Sequence, residues 1–246
     1  MSITHRRRRP VTLGLILTLS IAGCAGQGGG GAAGSAASAD TPAAKPADPA
    51  GWTTLFDGKT LKNWKATDFG GNGQPRVEDG NLILPVGESL TGVTWTGPAL
   101  PNMNYEVVGE AKRVDGSDFF YGLTFPVRDS HASLIIGGWG GGVCGISSLD
   151  GFDASENETT TFRGFETGKW YKFLLRVTPK KIEAWIDSDK IVDADIEGRK
   201  IDVRIEVEQS KPLGVASYQT TAAVRGLKLR KIEPPAAAAK KDDKKD

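Results

Sequence analysis

Through the middle of the chain, apolar and polar positions alternate with a period of two. No long stretch repeats every three to four residues, so the pattern predicts strands rather than helices. From Lys172 to Thr178 the apolar set is Phe173, Leu175 and Val177; from Lys181 to Asp187 it is Ile182, Ala184 and Ile186. Pro179-Lys180 lies between these runs and predicts a hairpin. Ile191, Val192, Ala194 and Ile196 form a third strand after a turn at Ser188-Asp189. Earlier strands are predicted at Arg76–Glu78 and Asn81–Leu84, joined by Asp79-Gly80, a pair suited to a two-residue hairpin turn. Gly92–Thr96, Tyr105–Ala111, Phe119–Phe125 and Ala132–Ile136 follow, and Leu213–Tyr218 and Ala222–Arg230 close the series. About a dozen short strands separated by Gly, Pro, Asn and Asp predict an all-β fold, a two-sheet jelly-roll sandwich. Leu149–Arg163 is polar and irregular, the most loop-like stretch inside it.

The flanks lack this pattern. Arg6–Arg9 form a basic run, and Val11–Ala22 an apolar run of 12 residues, too short to span a bilayer as an anchor. It ends in Ile21-Ala22-Gly23-Cys24. Basic region, apolar run and small residues before a cysteine predict a bacterial lipoprotein signal over 1–23, with cleavage before Cys24 and lipid on its thiol. An ordinary secretory peptide with a chance cysteine is the alternative. Residues 24–50, rich in Gly, Ala, Ser and Pro, read as a flexible tether, and 234–246 as a solvated charged tail. Residues 51–233 remain as one domain, long enough for a sizeable core. The expected location is the cell envelope, with the membrane touched only through the N-terminal lipid.

The 246 residues are 39% hydrophobic and 25% charged, which excludes a wholly disordered chain and a multi-pass membrane protein. Lys plus Arg number 31 against 30 Asp plus Glu; without the four leader arginines 27 remain, a net −3. A mildly acidic domain argues against a nucleic-acid partner. Cys144 is left without a disulfide partner once Cys24 carries lipid, and reads as a small buried apolar residue.

Candidate chemistry is sparse. Asp150, Asp153, Glu156 and Glu158 crowd into nine residues and offer oxygen ligands for a divalent metal such as Ca²⁺; a solvated acidic loop is the alternative. Gly137-Gly138-Trp139-Gly140-Gly141-Gly142 strips side chains from around one indole. That either exposes Trp139 as a platform for a sugar ring or forms a glycine bulge with the indole packed down. His131, the only histidine after the leader, is an acid, base or metal-ligand candidate, or a structural residue. Asp129 and Ser130 beside it do not make a serine triad, since no Gly-x-Ser-x-Gly elbow is present. Arg163 is a candidate for a hydroxyl pair or carboxylate, with a surface salt bridge as the alternative.

The opening Trp52-Thr-Thr-Leu55-Phe56-Asp57-Gly58-Lys59-Thr-Leu61-Lys-Asn63-Trp64 resembles the start of the bacterial 3-keto-disaccharide hydrolase domain family. Val77-Glu78-Asp79-Gly80-Asn81-Leu82, Tyr105-Glu106-Val107, Trp170-Tyr171-Lys172, Ile182–Asp187 and the closing strands over Gly214–Leu229 follow in the family's order. The resemblance implies a concanavalin A-like jelly roll, a carbohydrate ligand, and action on 3-keto-glycosides by metal-assisted elimination and hydration. It places Tyr121 on the family's ligand-facing strand as a candidate sugar contact, with core packing as the alternative. Elimination beside a ketone needs a base, a group holding the enolate oxygen and an acid for the leaving oxygen. The expected set is therefore His131, Glu156 and Asp150 for acid–base work, Asp150, Asp153 and Glu158 for metal, and Trp139, Tyr121 and Arg163 for sugar. This chain departs from active members: Pro126-Val127 follow Gly122–Phe125 where they carry an arginine, and Ala216–Thr220 holds no histidine. A non-catalytic carbohydrate-binding or cell-envelope module on the same fold therefore stands as the alternative.

Overall fold

The computed structural model describes residues 51–233. The expected signal, the lipidated Cys24, the tether and the tail lie outside the described residues. The strands are β1 (Thr53–Thr54), β2 (Trp64–Ala66), β3 (Arg76–Glu78), β4 (Asn81–Leu84), β5 (Leu90–Trp95), β6 (Tyr105–Gly116), β7 (Tyr121–Val127), β8 (Ser130–Gly138), β9 (Val143–Ser147), β10 (Thr161–Phe162), β11 (Tyr171–Val177), β12 (Lys181–Ile186), β13 (Asp189–Asp195), β14 (Gly214–Tyr218) and β15 (Thr220–Lys231). A first antiparallel sheet runs β13-β12-β11-β6-β15-β4-β3, with β1 also on β15; a second runs β10-β9-β8-β7-β14-β5-β2. This is the expected all-β jelly-roll sandwich.

The alternation read from the sequence decides which side of each strand is buried. On β11, Tyr171, Phe173, Leu175 and Val177 face the core while Lys172 and Arg176 face outward. On β7 the core set is Tyr121, Leu123, Phe125 and Val127, and on β8 it is Ala132, Leu134 and Ile136. The two layers meet where the Tyr121 and Phe173 rings lie 4.1 Å apart. They are also joined by Tyr105 on β6, whose hydroxyl donates to the Pro126 carbonyl on β7 at 2.6 Å. Burial pushes the Tyr105 phenol well above its ordinary pKa, so it remains a donor.

Turn chemistry follows sequence as well. Asp79 and Gly80 both take positive φ, 50° and 80°, as the β3–β4 hairpin turn requires. The pattern left four strands unread. β1, β2 and β10 have two or three residues each, too few to show a period. β9 is buried on both faces, so it does not alternate.

The outer face of the first sheet is charged and internally matched. Glu106 on β6 stands in register between Arg176 on β11 and Arg230 on β15. Each guanidinium donates to a different carboxylate oxygen, both at 2.7 Å, and Glu106 is only 1% exposed. Removing the acid takes a buried carboxylate from two half-buried guanidinium groups at once. Glu106→Ala is expected to destabilise the domain by about 3 kcal/mol, read as a lower urea midpoint, whereas Glu110→Ala, at the more exposed Arg225 pair, changes it by less than about 1 kcal/mol.

Candidate functional site

The outer face of the second sheet is different. It carries small and polar residues: Gly122 and Thr124 on β7, His131 and Ser133 on β8, Ser147 on β9, Ala216 on β14. A short 3-10 segment, Ile205–Ser210, lies across part of this face. It is fixed there because the Thr94 hydroxyl donates to the Gln209 carbonyl at 2.8 Å. Gly214 lies directly under Ser210, whose Cβ would be 2.5 Å from any Cβ at that position. The uncovered part forms a hollow of about 380 Å³.

Its walls come from three places. Phe119 and Tyr218 stack with centroids 5.9 Å apart. Arg204 and Glu206 stand at the start of the 3-10 segment. Trp139 stands on the glycine run, 45% exposed. The run is both a bulge and a platform: the β8–β9 register slips between Ile136 and Gly138, and Trp139 takes a φ of 48°.

Two side chains set that conformation. The Arg113 guanidinium, on a residue 6% exposed, donates to the carbonyls of Asp118, Gly137, Gly141 and Phe165. Glycine is required beneath it, since a Cβ at Gly137 would approach Arg113 Nη2 to 2.9 Å. The Asp118 carboxylate accepts from the amide of Gly140 at 2.9 Å and from that of Phe119 at 2.7 Å.

The hollow is electronegative. Asp118 and Glu206 line it with a single arginine, and that arginine is shared: Arg204 pairs with Asp153 through Nη1 and with both Glu206 oxygens through Nε and Nη2. These bonds hold Glu206 below its ordinary pKa, so it is ionised at neutral pH. Ser147 donates to the other Asp153 oxygen at 3.0 Å.

The acidic loop is organised by arginines from a later part of the chain. Arg199 bridges Asp150 and Glu158, while Asp153 points to Arg204 and Ser147 and Glu156 is exposed. A guanidinium already stands between the two carboxylates that would clasp a cation. Among the described residues, no group of three or more His, Cys, Asp or Glu is placed to hold a metal. The donor set expected at Asp150, Asp153 and Glu158 therefore does not fit a divalent ion.

Asp150 and Glu156 also lie away from the hollow and do not form the expected acid–base set. His131 is on the right face, two residues from Ser133, but sits by Lys211 and Glu208 where the 3-10 segment ends rather than among the lining residues. Burial, then Lys211, lowers its pKa, which leaves it neutral at pH 7. Tyr121 is a core residue, because it shares the parity of Leu123 and Phe125; its hydroxyl is buried without a partner. Arg163 bonds Asp187 and Asp189 and so staples the β10 edge to the β12–β13 turn, away from the sugar-sized space.

A larger depression of about 1010 Å³ lies on the outer face of the first sheet beside Trp52. One face of its indole is covered by Arg230, 4.6 Å from the ring centroid.

The model of the 3-keto-alpha-glucoside-1,2-lyase-like domain matches residues 51–230. The chain belongs to this family. The 3-keto-glucoside lyase-like domain is carbohydrate-active and hydrolase-like in kind. Among solved structures, the Crh5 transglycosylase in complex with NAG is similar at 9% identity and a TM-score of 0.51, covering 75% of this chain and 85% of its own. The carbohydrate-binding module CBM66 from Bacillus subtilis is similar at 11% identity and 0.47, covering 68% and 95%. At such identities the likeness concerns the fold. No curated protein matches the sequence.

Two outcomes follow from these placements. Tyr121→Phe removes an unbonded buried hydroxyl and is expected to raise stability by about 1 kcal/mol in urea unfolding, with sugar binding unchanged. Asp150 is held below its ordinary pKa by the Lys200 amide and then Arg199, and Glu158 by Arg199. Carboxylates lowered in the native state stabilise it fully above their unfolded values and lose that contribution as pH falls through the native ones. The melting-temperature gap between wild type and Arg199→Met is therefore constant from neutral pH down to about pH 5 and narrows below about pH 4. A gap that persists to pH 2 contradicts the assignment.

Proposed function

We propose that this family member binds an uncharged sugar oxidised at C3 in the hollow and opens its glycosidic bond by elimination followed by hydration, a net hydrolysis. The observation that carries this is the hollow itself: a half-exposed indole and an aromatic pair, with an ionised carboxylate and a guanidinium at the rim. Indole faces stack on the apolar faces of sugar rings. Two lining carboxylates against one shared arginine favour a neutral ring over a uronic acid or sulfated sugar.

The ketone acidifies the proton on C2. In this reading Glu206 accepts that proton and Arg204 stabilises the enolate oxygen. Three of the five Arg204 N–H groups serve Asp153 and Glu206, which leaves donors for the substrate. Collapse of the enolate expels the glycosidic oxygen from C1, which takes a proton from a water; the hydroxide left adds to C1 of the enone, and the Glu206 carboxyl returns its proton to C2. The family resemblance supports the 3-keto substrate, and no step is assigned to a metal, since Arg199 and Arg204 already pair with the acidic loop's carboxylates. A lipid on Cys24 would hold this activity at the cell envelope.

A second reading, a non-catalytic sugar-binding module, is favoured by one observation: the carboxylates around the hollow already have protein partners. Purified protein mixed with a nitrophenyl 3-keto-glucoside separates the two. The elimination reading expects nitrophenol release, insensitive to EDTA, falling by about 100-fold in Arg204→Met. Saturable binding with no release would leave the module reading, and release abolished by EDTA would overturn the metal-free route.

A further inference from the structure

We infer that Arg113 and Asp118 are positioning residues that preset the Trp139 platform, an inference that rests on the hollow being the sugar site. Arg113 is a buried cation whose hydrogen bonds to described residues all end on main-chain carbonyls. Carbonyls repay the desolvation of a guanidinium less well than a carboxylate does, and burial lowers the Arg113 pKa. Its position is explained by what it holds. Two of its four acceptors, Gly137 and Gly141, bracket Trp139, and a third is Asp118 itself.

Asp118 completes the clamp from the other side. One carboxylate oxygen takes the amide of Gly140, the residue after Trp139, and the other takes the amide of Phe119, an aromatic of another wall. One side chain therefore fixes the spacing of both walls. A glycine run alone would let the indole swing, and Trp139 lies in the left-handed region, which a non-glycine residue holds only under restraint. With the clamp in place, that ordering is complete before the ligand arrives, so binding does not have to supply it.

The test is a double-mutant cycle with methyl α-glucoside and methyl 3-keto-α-glucoside as probes, by calorimetry on the full-length protein. Asp118→Ala and Arg113→Lys are each expected to weaken binding about tenfold. In the Trp139→Ala background, either change should weaken it less than twofold further. The melting temperature identifies any variant that fails to fold; Asp118→Ala, the less buried position, carries the test if Arg113→Lys does so. Losses that add fully to that of Trp139→Ala would overturn the inference, showing Asp118 touching the sugar or Arg113 acting through stability alone. Wild type binding neither probe, or Trp139→Ala binding as wild type, would overturn the reading of the hollow and this inference with it. A loss in Trp139→Ala with none in the other two would overturn only the positioning role.

Discussion

A buried guanidinium that binds carbonyls sets the terms for one end of the sandwich. Arg113 projects from β6 of the first sheet, yet three of its acceptors belong to the second: Asp118 on the connection into β7, Gly137 at the end of β8 and Gly141 on the β8–β9 connection. It also lies 5.2 Å from the Phe120 ring, itself part of the core. The cation stays there because main chain turns toward it, and on the glycine run that approach uses the missing Cβ atoms of Gly137 and Gly141, both at positive φ. The glycine run, the bulge in β8 and the outward indole go with that approach.

The two outer faces divide the work of the domain. On the first sheet, long charged side chains pair across strands, as in the Arg176–Glu106–Arg230 row, and arginines lie over Trp52 and Trp170. That face is closed chemically: its aromatics and its charges are matched by the protein. On the second sheet many outward positions are short, among them Gly122, Thr124, Ser133, Ser147 and Ala216, and they leave room above the backbone. The 3-10 segment covers part of that room, and Arg204 before it and Glu206 within it line the rest. Function follows from where side chains are short.

The fold was legible because burial on one face leaves a period-two record. Phe173, Leu175 and Val177, or Ile182, Ala184 and Ile186, can be assigned to a face without coordinates. The record fails where a strand is buried on both sides. β7 is buried along its whole length, and Tyr121 was read as ligand-facing although Gly122, Thr124 and Pro126, at the other parity, were the signal of the outer face. The Trp139 platform was legible because six neighbouring residues carry it. Arg113 and Asp118 were not, since they act through the backbone of residues 22 to 28 positions away in sequence. The acidic loop misled for a similar reason: its density of carboxylates was visible, but Arg199 and Arg204, which neutralise it, come 41 to 51 residues later.

The central claim is that the sugar site is the hollow on the outer face of the second sheet. A crystal structure with methyl α-glucoside bound tests it most directly. The account predicts the ring against the Trp139 indole, facing Phe119 and Tyr218, with the Asp118–Gly140 hydrogen bond intact. A sugar bound instead in the depression beside Trp52, with the hollow empty, would contradict it.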